Sequence, residues 1–249
     1  SYSGSATVSM RQKSLKVMNG DEYRSFIKKM YDANSIPVQA LGTANTDWQK
    51  EIYRTAISHD HNVTLSGAVK SLPYRLSVGY TDQQGILKTS DFKRVTAAIN
   101  LNPSFFDNHL TLNLNGKGMY AKTKYADTQA VSAAVYMDPT QDPYSYTSAY
   151  HKSLLGGSLE QTLKNFGGYF QWPVDADWDG DPTWPYTYRS VSNMPNPLSV
   201  LYGRDEYAKS RAFVGSADVD YKVHGFEDLR LHLTLGADIS EGKQYTNNQ

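Results

Sequence analysis

Alternation with period two is the feature that most constrains this chain. In RLSVGYT, Leu76, Val78 and Tyr80 alternate with Arg75, Ser77, Gly79 and Thr81. In RVTAAINLN, Val95, Ala97, Ile99 and Leu101 alternate with Thr96, Ala98, Asn100 and Asn102. Leu110, Leu112 and Leu114 stand against Thr111, Asn113 and Asn115, and Phe213, Ala217, Val219, Tyr221 and Val223 against Ser216, Asp218, Asp220 and Lys222. The cleanest run sets Leu229, Leu231, Leu233 and Leu235 against Arg230, His232, Thr234 and Asp238. Successive strand side chains point to opposite faces, so each run has one apolar and one polar face. Weaker runs at Tyr2 to Met10 and His59 to Gly67 bring the expectation to about seven strands in an all-β chain.

The connections alternate in length. Short turns are expected near Ala68 to Pro73, Pro103 to His109 and His224 to Asp228. Longer excursions run from Arg11 to Ser58, Asp82 to Lys93 and Ala121 to Arg211. Short turns at one rim and long loops at the other characterise outer-membrane barrels, the long loops being extracellular. Within the first excursion, 11–58, the spacing predicts a helix over 19–33. Asp21 is its capping candidate, and Tyr23, Phe26, Ile27 and Met30 form its stripe. The excursion 121–211 is rich in Trp and Tyr, and Asp127 to Met137 reads as a second short helix.

Polar faces bearing Asp218, Asp220, Lys222, Arg230, His232 and Asp238 cannot form a dry core, because an unpaired buried charge costs several kcal/mol or more. Those faces meet water, as a barrel lumen or the wet face of a soluble sheet does. A strand of about ten residues tilted by ~40° crosses roughly 25 Å, the height of a barrel's apolar band. Tyr2, Tyr74, Tyr80, Phe92, Tyr120, Phe213 and Tyr221 near strand ends are candidates for its aromatic girdles. Lys plus Arg and Asp plus Glu each number 25, which gives no pull toward nucleic acid. Cysteine is absent, which removes disulfides, thiolate metal sites and cysteine nucleophiles. The chain has no run of roughly 20 apolar residues able to span as a helix, and SYSGSATVSMRQ has no signal-peptide core.

The segment Asn45 to Asn115 resembles the start of the barrel in SusC/RagA-type TonB-linked outer-membrane proteins. The resemblance lies in DWQKEIYRTA at Asp47 to Ala56, SHDHNVTLSG, YRLSVGYTDQQGILKTSDFKR and INLNPS. LKVMNGDEYRSFI at Leu15 to Ile27, NPLSVL at Asn196 to Leu201 and FVGSADVDYKV at Phe213 to Val223 extend it. The resemblance implies a plugged barrel of roughly 22 strands, of which residues 1–249 would be a part. The carboxypeptidase-like module, TonB box, plug and remaining barrel would then lie elsewhere, since an open sheet leaves edges that lipid cannot satisfy. It further implies nutrient import without catalysis, in the outer membrane of a Bacteroidetes cell. The implied partners are TonB, acting through the plug, and a SusD-like lipoprotein. Oligosaccharides are the expected substrates, with peptides the alternative.

Trp172, Trp178, Trp184, Tyr186 and Tyr188 are the candidate substrate-binding residues, because aromatic faces stack on sugar rings. The same rings can instead pack the loop into a small core of its own. Asp175, Asp177 and Asp179 before Gly180 match the opening of a calcium loop, although Tyr186 stands where the closing Glu belongs. No other cofactor is expected. His59 and His61 share a strand face without a further ligand cluster and read as an interfacial or lumen-facing pair. Two rivals remain at this stage: a soluble glycan-binding sandwich with Leu229, Leu231, Leu233 and Leu235 in its core, and a hydrolase, for which no nucleophile-base set emerges.

Overall fold

The computed structural model describes residues 1–70, 72–155, 168–172, 174–175, 186–187 and 195–248. Seven long strands form one antiparallel sheet: β1 (Tyr2–Ser9), β2 (Ala56–Val69), β3 (Leu72–Gln84), β4 (Asp91–Leu101), β6 (Leu110–Tyr125), β9 (Arg204–Lys222) and β10 (Arg230–Asn248). They lie side by side in chain order, as a meander, with a two-residue strand β5 (Ser104–Phe105) pairing to β6. A separate hairpin pairs β7 (Val174–Asp175) with β8 (Tyr186–Thr187). Among the described residues β1 and β10 are open edges, and the sheet does not close.

The register fixes the faces. Leu231 opposes Tyr221, Leu233 opposes Val219 and Leu235 opposes Ala217. The same row positions continue through Leu110, Leu112 and Leu114 on β6. Leu114 then opposes Leu101, which opposes Tyr74, and Ile99 opposes Leu76, which opposes Leu65. One face is therefore apolar across the whole sheet, with no register slip to break it. Glycine serves this face at one spot: a Cβ on Gly215 would come within 3.0 Å of the Phe213 ring, and one on Gly116 within 3.3 Å of Ile99.

The apolar face is bare. Leu229, Leu231, Leu233 and Leu235 are 51–58% exposed, and Val63, Leu65 and Val78 are likewise exposed. A sandwich would bury these residues under a second sheet, so that rival is overturned. The core lies instead among the helices of the two long loops: Trp48, Ile52, Ala130, Ala134, Met137, Phe170, Leu198 and Leu201.

The strands run further than alternation alone indicates. β9 and β10 have 19 residues each. At ~3.3 Å per residue and ~40° tilt that is roughly twice the ~25 Å apolar band, so both project beyond it. The β3–β4 connection shrinks accordingly from Asp82 to Lys93 to residues 85–90. Phe92 corrects the girdle: it opposes Gln83 and Thr123 and lies on the polar face, because its neighbour Lys93 takes the apolar-face position. The other girdle candidates, Tyr2, Tyr74, Tyr80, Tyr120, Phe213 and Tyr221, lie on the apolar face.

The first long loop, residues 10–55, carries α1 (Gly20–Met30), α2 (Ile36–Gln39) and α3 (Trp48–Ile52). Asn19, not Asp21, caps α1: its side chain accepts from the backbones of Asp21 and Glu22, and Glu22 accepts in return from the Asn19 N–H at 3.0 Å. This is a capping box, in which both partners satisfy otherwise free N–H groups. The second long loop, residues 126–203, carries α4 (Gln129–Tyr136), α5 (Ala149–Leu155) and α6 (Pro197–Tyr202).

Candidate functional site

The two long loops form a platform at one end of the sheet. Their local signals are ordinary: Asp47 caps α3 by accepting from the Lys50 N–H, and Asn196 caps α6 ahead of Pro197 at its first turn. What joins them is a hydrogen-bonded seam. The Trp48 indole donates to the Asp138 carbonyl at 2.8 Å, and the Gly42 N–H to Thr140 Oγ1 at 3.0 Å. Gln141 Nε2 donates to the Ala40 carbonyl at 2.8 Å. Asp138, buried, accepts from the Thr140 N–H and hydroxyl, both at 2.7 Å, and so holds the turn that presents these groups.

The platform is also tied to the strands. The Arg54 guanidinium donates to the Gly85 and Ser90 carbonyls of the β3–β4 turn at 3.0 and 2.7 Å. The buried strand residues Ala56, Thr81 and Ala121 all lie on the polar face, so the loops lean over that face.

Between the loops lies a groove of about 740 Å³. Val17, Met18, Trp48, Tyr136 and Met137 supply apolar walls, with Asn19 and Asn45 at its polar positions. Burial and the nearby Asp138 carboxylate raise the Tyr23 phenol above its ordinary value, so this groove-lining hydroxyl stays a neutral donor. Such a lining suits a ligand with both apolar faces and hydroxyl or amide groups. Beneath the platform the polar face is amide-rich: Asn100 donates to Asn113 at 3.2 Å and to Asn115, Asn102 donates to Asn100 at 2.8 Å, and Thr234 donates to Asp218 at 2.8 Å.

Of the candidate aromatic residues, Trp172 is partly buried and packs edge-on against Phe170 with centroids 5.0 Å apart, beside the loop core. Tyr186 is paired by backbone to Asp175, which brings the two ends of that segment together as a hairpin. Trp178, Trp184 and Tyr188, with Asp177 and Asp179, lie outside the described residues. Among the described residues no three His, Asp or Glu side chains gather to hold a metal ion. His59 and His61 sit on the apolar face beside Tyr80 and Tyr2, whose hydroxyl bonds His61 Nδ1 at 2.7 Å. Of the interfacial and lumen-facing placements expected from the strand periodicity, their position on the apolar face excludes the lumen-facing one. The groove residues were not legible as a site, because its walls come from segments far apart in sequence.

Comparison with known proteins agrees with this architecture. The chain is 45% identical over 248 residues, 99% of its length, to the TonB-dependent receptor SusC of Bacteroides thetaiotaomicron. It is 25% identical over 156 residues, 59% of its length, to the TonB-dependent receptor P3 of Formosa agariphila, covering 15% of that receptor. The RagAB peptide importer in its closed-closed state matches 100% of the chain with a TM-score of 0.62 at 18% identity. A second RagAB peptide transporter structure matches 98% with a TM-score of 0.59 at 17% identity. The chain spans 23% of the SusC receptor's length and 28% of the matched RagAB chain. No family model matches it.

A meander with one bare apolar face, one polar face, and long loops at a single rim is part of a transmembrane β-barrel. With the sequence match along its whole length, the chain belongs to the SusC/RagA family of TonB-linked outer-membrane proteins and forms a portion of the barrel region.

Proposed function

We propose that the chain is a wall segment, with two extracellular loops, of a TonB-dependent importer that takes up oligosaccharides across the outer membrane of a Bacteroidetes cell. The observation that carries this reading is the 45% identity to SusC along 99% of the chain. The bare leucine face supports it, since that surface needs lipid for cover. The open edges β1 and β10 then pair with further strands of the parent barrel, as lipid requires. Import is powered by TonB acting on a plug, and the loop platform meets a SusD-like lipoprotein lid. The groove beside Trp48 and the segment carrying Trp178, Trp184, Tyr186 and Tyr188 contact the sugar, whereas Trp172 chiefly supports the loop core.

The test is uptake. Cells lacking the parent receptor are compared with complemented cells for uptake of labelled oligosaccharides and labelled peptides. Loss of oligosaccharide uptake alone supports the reading. Loss of peptide uptake alone replaces it with a peptide importer, the activity named for RagAB. Unchanged uptake of both overturns import.

A further inference from the structure

At the platform end of the apolar face, the apolar runs of β3, β4, β6, β9 and β10 each stop at an ionisable residue on that same face. Tyr80 is followed by Asp82, Val95 by Lys93, Tyr120 by Lys122, Phe213 by Arg211 and Ile239 by Glu241. Within this border the register aligns four cations: Lys93 opposes Lys122, Lys122 opposes Lys209, and Lys209 opposes Lys243. Like charges directly opposed across strands repel, so such a row is stable only with anions to share. The flanking members have them: Lys93 pairs with Asp82 at 3.2 Å and Lys243 with Glu241 at 2.7 Å. The central two do not. Among the described residues Lys122 and Lys209 meet no carboxylate. Their ammonium groups lie over the Tyr207 ring at 4.8 and 5.5 Å, and Lys209 also over Tyr245 at 5.5 Å.

We propose that Lys122 and Lys209 seat the phosphate of an anionic lipid head group in the outer leaflet. The inference rests on the membrane-barrel reading above. Strands lie ~4.8 Å apart, so two opposed lysines can grip one phosphate together. Stacked Tyr207 and Tyr245, with centroids 5.0 Å apart, make a tray that holds both ammonium groups in place. The ligand is a lipid and not free phosphate because Tyr120 lies next below Lys122 on the same face, and Phe213 and Ile239 resume the apolar surface below the Arg211–Glu241 position. Acyl chains on that surface bring their own phosphate to the lysine row, as basic residues at a membrane border attract anionic head groups.

The experiment uses the full-length parent receptor in detergent and native mass spectrometry. The probes are bisphosphorylated lipid A, the same lipid with its phosphates removed, and inorganic phosphate. Retention of the phosphorylated lipid only is expected. Lys122→Gln with Lys209→Gln should weaken that retention about ten- to thirty-fold, while Lys28→Gln with Lys29→Gln on α1 leaves it unchanged. Equal retention by the lysine-row variant, equal retention of the dephosphorylated lipid, or displacement of the lipid by inorganic phosphate at similar concentration overturns the proposal. Membrane fractionation of the parent is done first. A parent found in the soluble fraction overturns the barrel reading and this one with it, whereas a membrane-bound parent indifferent to phosphorylated lipid overturns only this one.

Discussion

Leu231 and His232 are neighbours in β10 on opposite sides of the sheet: Leu231 opposes Tyr221 in the apolar face, and His232 opposes Asp220 in the polar one. Single cysteines at these positions in the full-length parent should therefore differ. A water-soluble thiol reagent applied to membranes is expected to label position 232 and spare position 231. Equal labelling would remove the lipid assignment of the leucine face.

The same geometry sets an energetic expectation. Leu231→Arg places a charge in the lipid-facing band and should cost about 2–4 kcal/mol near the bilayer midplane, falling toward zero at its borders. His232→Arg, on the wet face, should stay within about 0.5 kcal/mol. Reversible denaturant unfolding of the parent barrel in lipid vesicles compares the two, and equal costs would place both faces in one environment.

The sheet was legible because lipid and water impose opposite demands on alternate residues. Wherever both environments act, as along Leu229 to Leu235, the periodicity located the strand and its faces. Where only one acts, the signal fades. Arg204 to Ser210 extend β9 beyond the apolar band with charged residues on both faces, so nothing in the pattern marks them as strand. The platform was legible only in part. Asn196 followed by Pro197 is a helix-start signal in the sequence, and α6 follows it. The core joining Trp48, Phe170 and Leu198 draws on residues more than a hundred positions apart, and no local periodicity encodes such a meeting.

Asn196 is 1% exposed and makes two bonds: its Oδ1 accepts from the Leu198 N–H at 2.9 Å, and its Nδ2 donates to the Pro143 carbonyl at 3.1 Å. Asn196→Ala should cost about 1–2 kcal/mol through loss of the cap, because Pro143 keeps a second bond from the Phe170 N–H at 2.8 Å. Asn196→Asp keeps the cap but turns a buried carboxylate toward a carbonyl oxygen, so it should be the more damaging change. Protease sensitivity of the long loops ranks the two variants, and the reverse order would refute this account of the site.

Tyr169 stacks on Tyr202 at 6.2 Å and meets Tyr144 at 5.9 Å. Burial first, and then the neighbouring phenols, raise Tyr169 above its ordinary value of 10.0. Tyr144 is raised too, by burial and then by the Glu51 carboxylate. The folded platform therefore favours the neutral phenols. Their contribution is complete below pH 10.0 and is lost as pH rises through the higher folded values. Hydrogen exchange followed between about pH 9 and pH 11 should show the platform loosening before the sheet. Tyr169→Phe should shift that loosening to higher pH, and an unchanged profile would show that these phenols do not govern it.

Ile52 is fully buried at the C-terminal end of α3, beside Trp48, in the core shared by the two long loops. Its carbonyl accepts from the Lys88 N–H at 2.9 Å in the β3–β4 turn, which ties that core to the sheet. Ile52→Ala removes buried methyl groups where Trp48 and its fixed indole bond limit collapse, so a cost of about 2–5 kcal/mol is expected. That loss falls on the platform, because among the described residues none of the apolar strand face contributes to this core. The variant barrel should still insert in membranes and resist heat while its loops become protease-sensitive and substrate uptake falls. Loss of insertion together with loop protection would mean that platform and barrel wall fold as one unit.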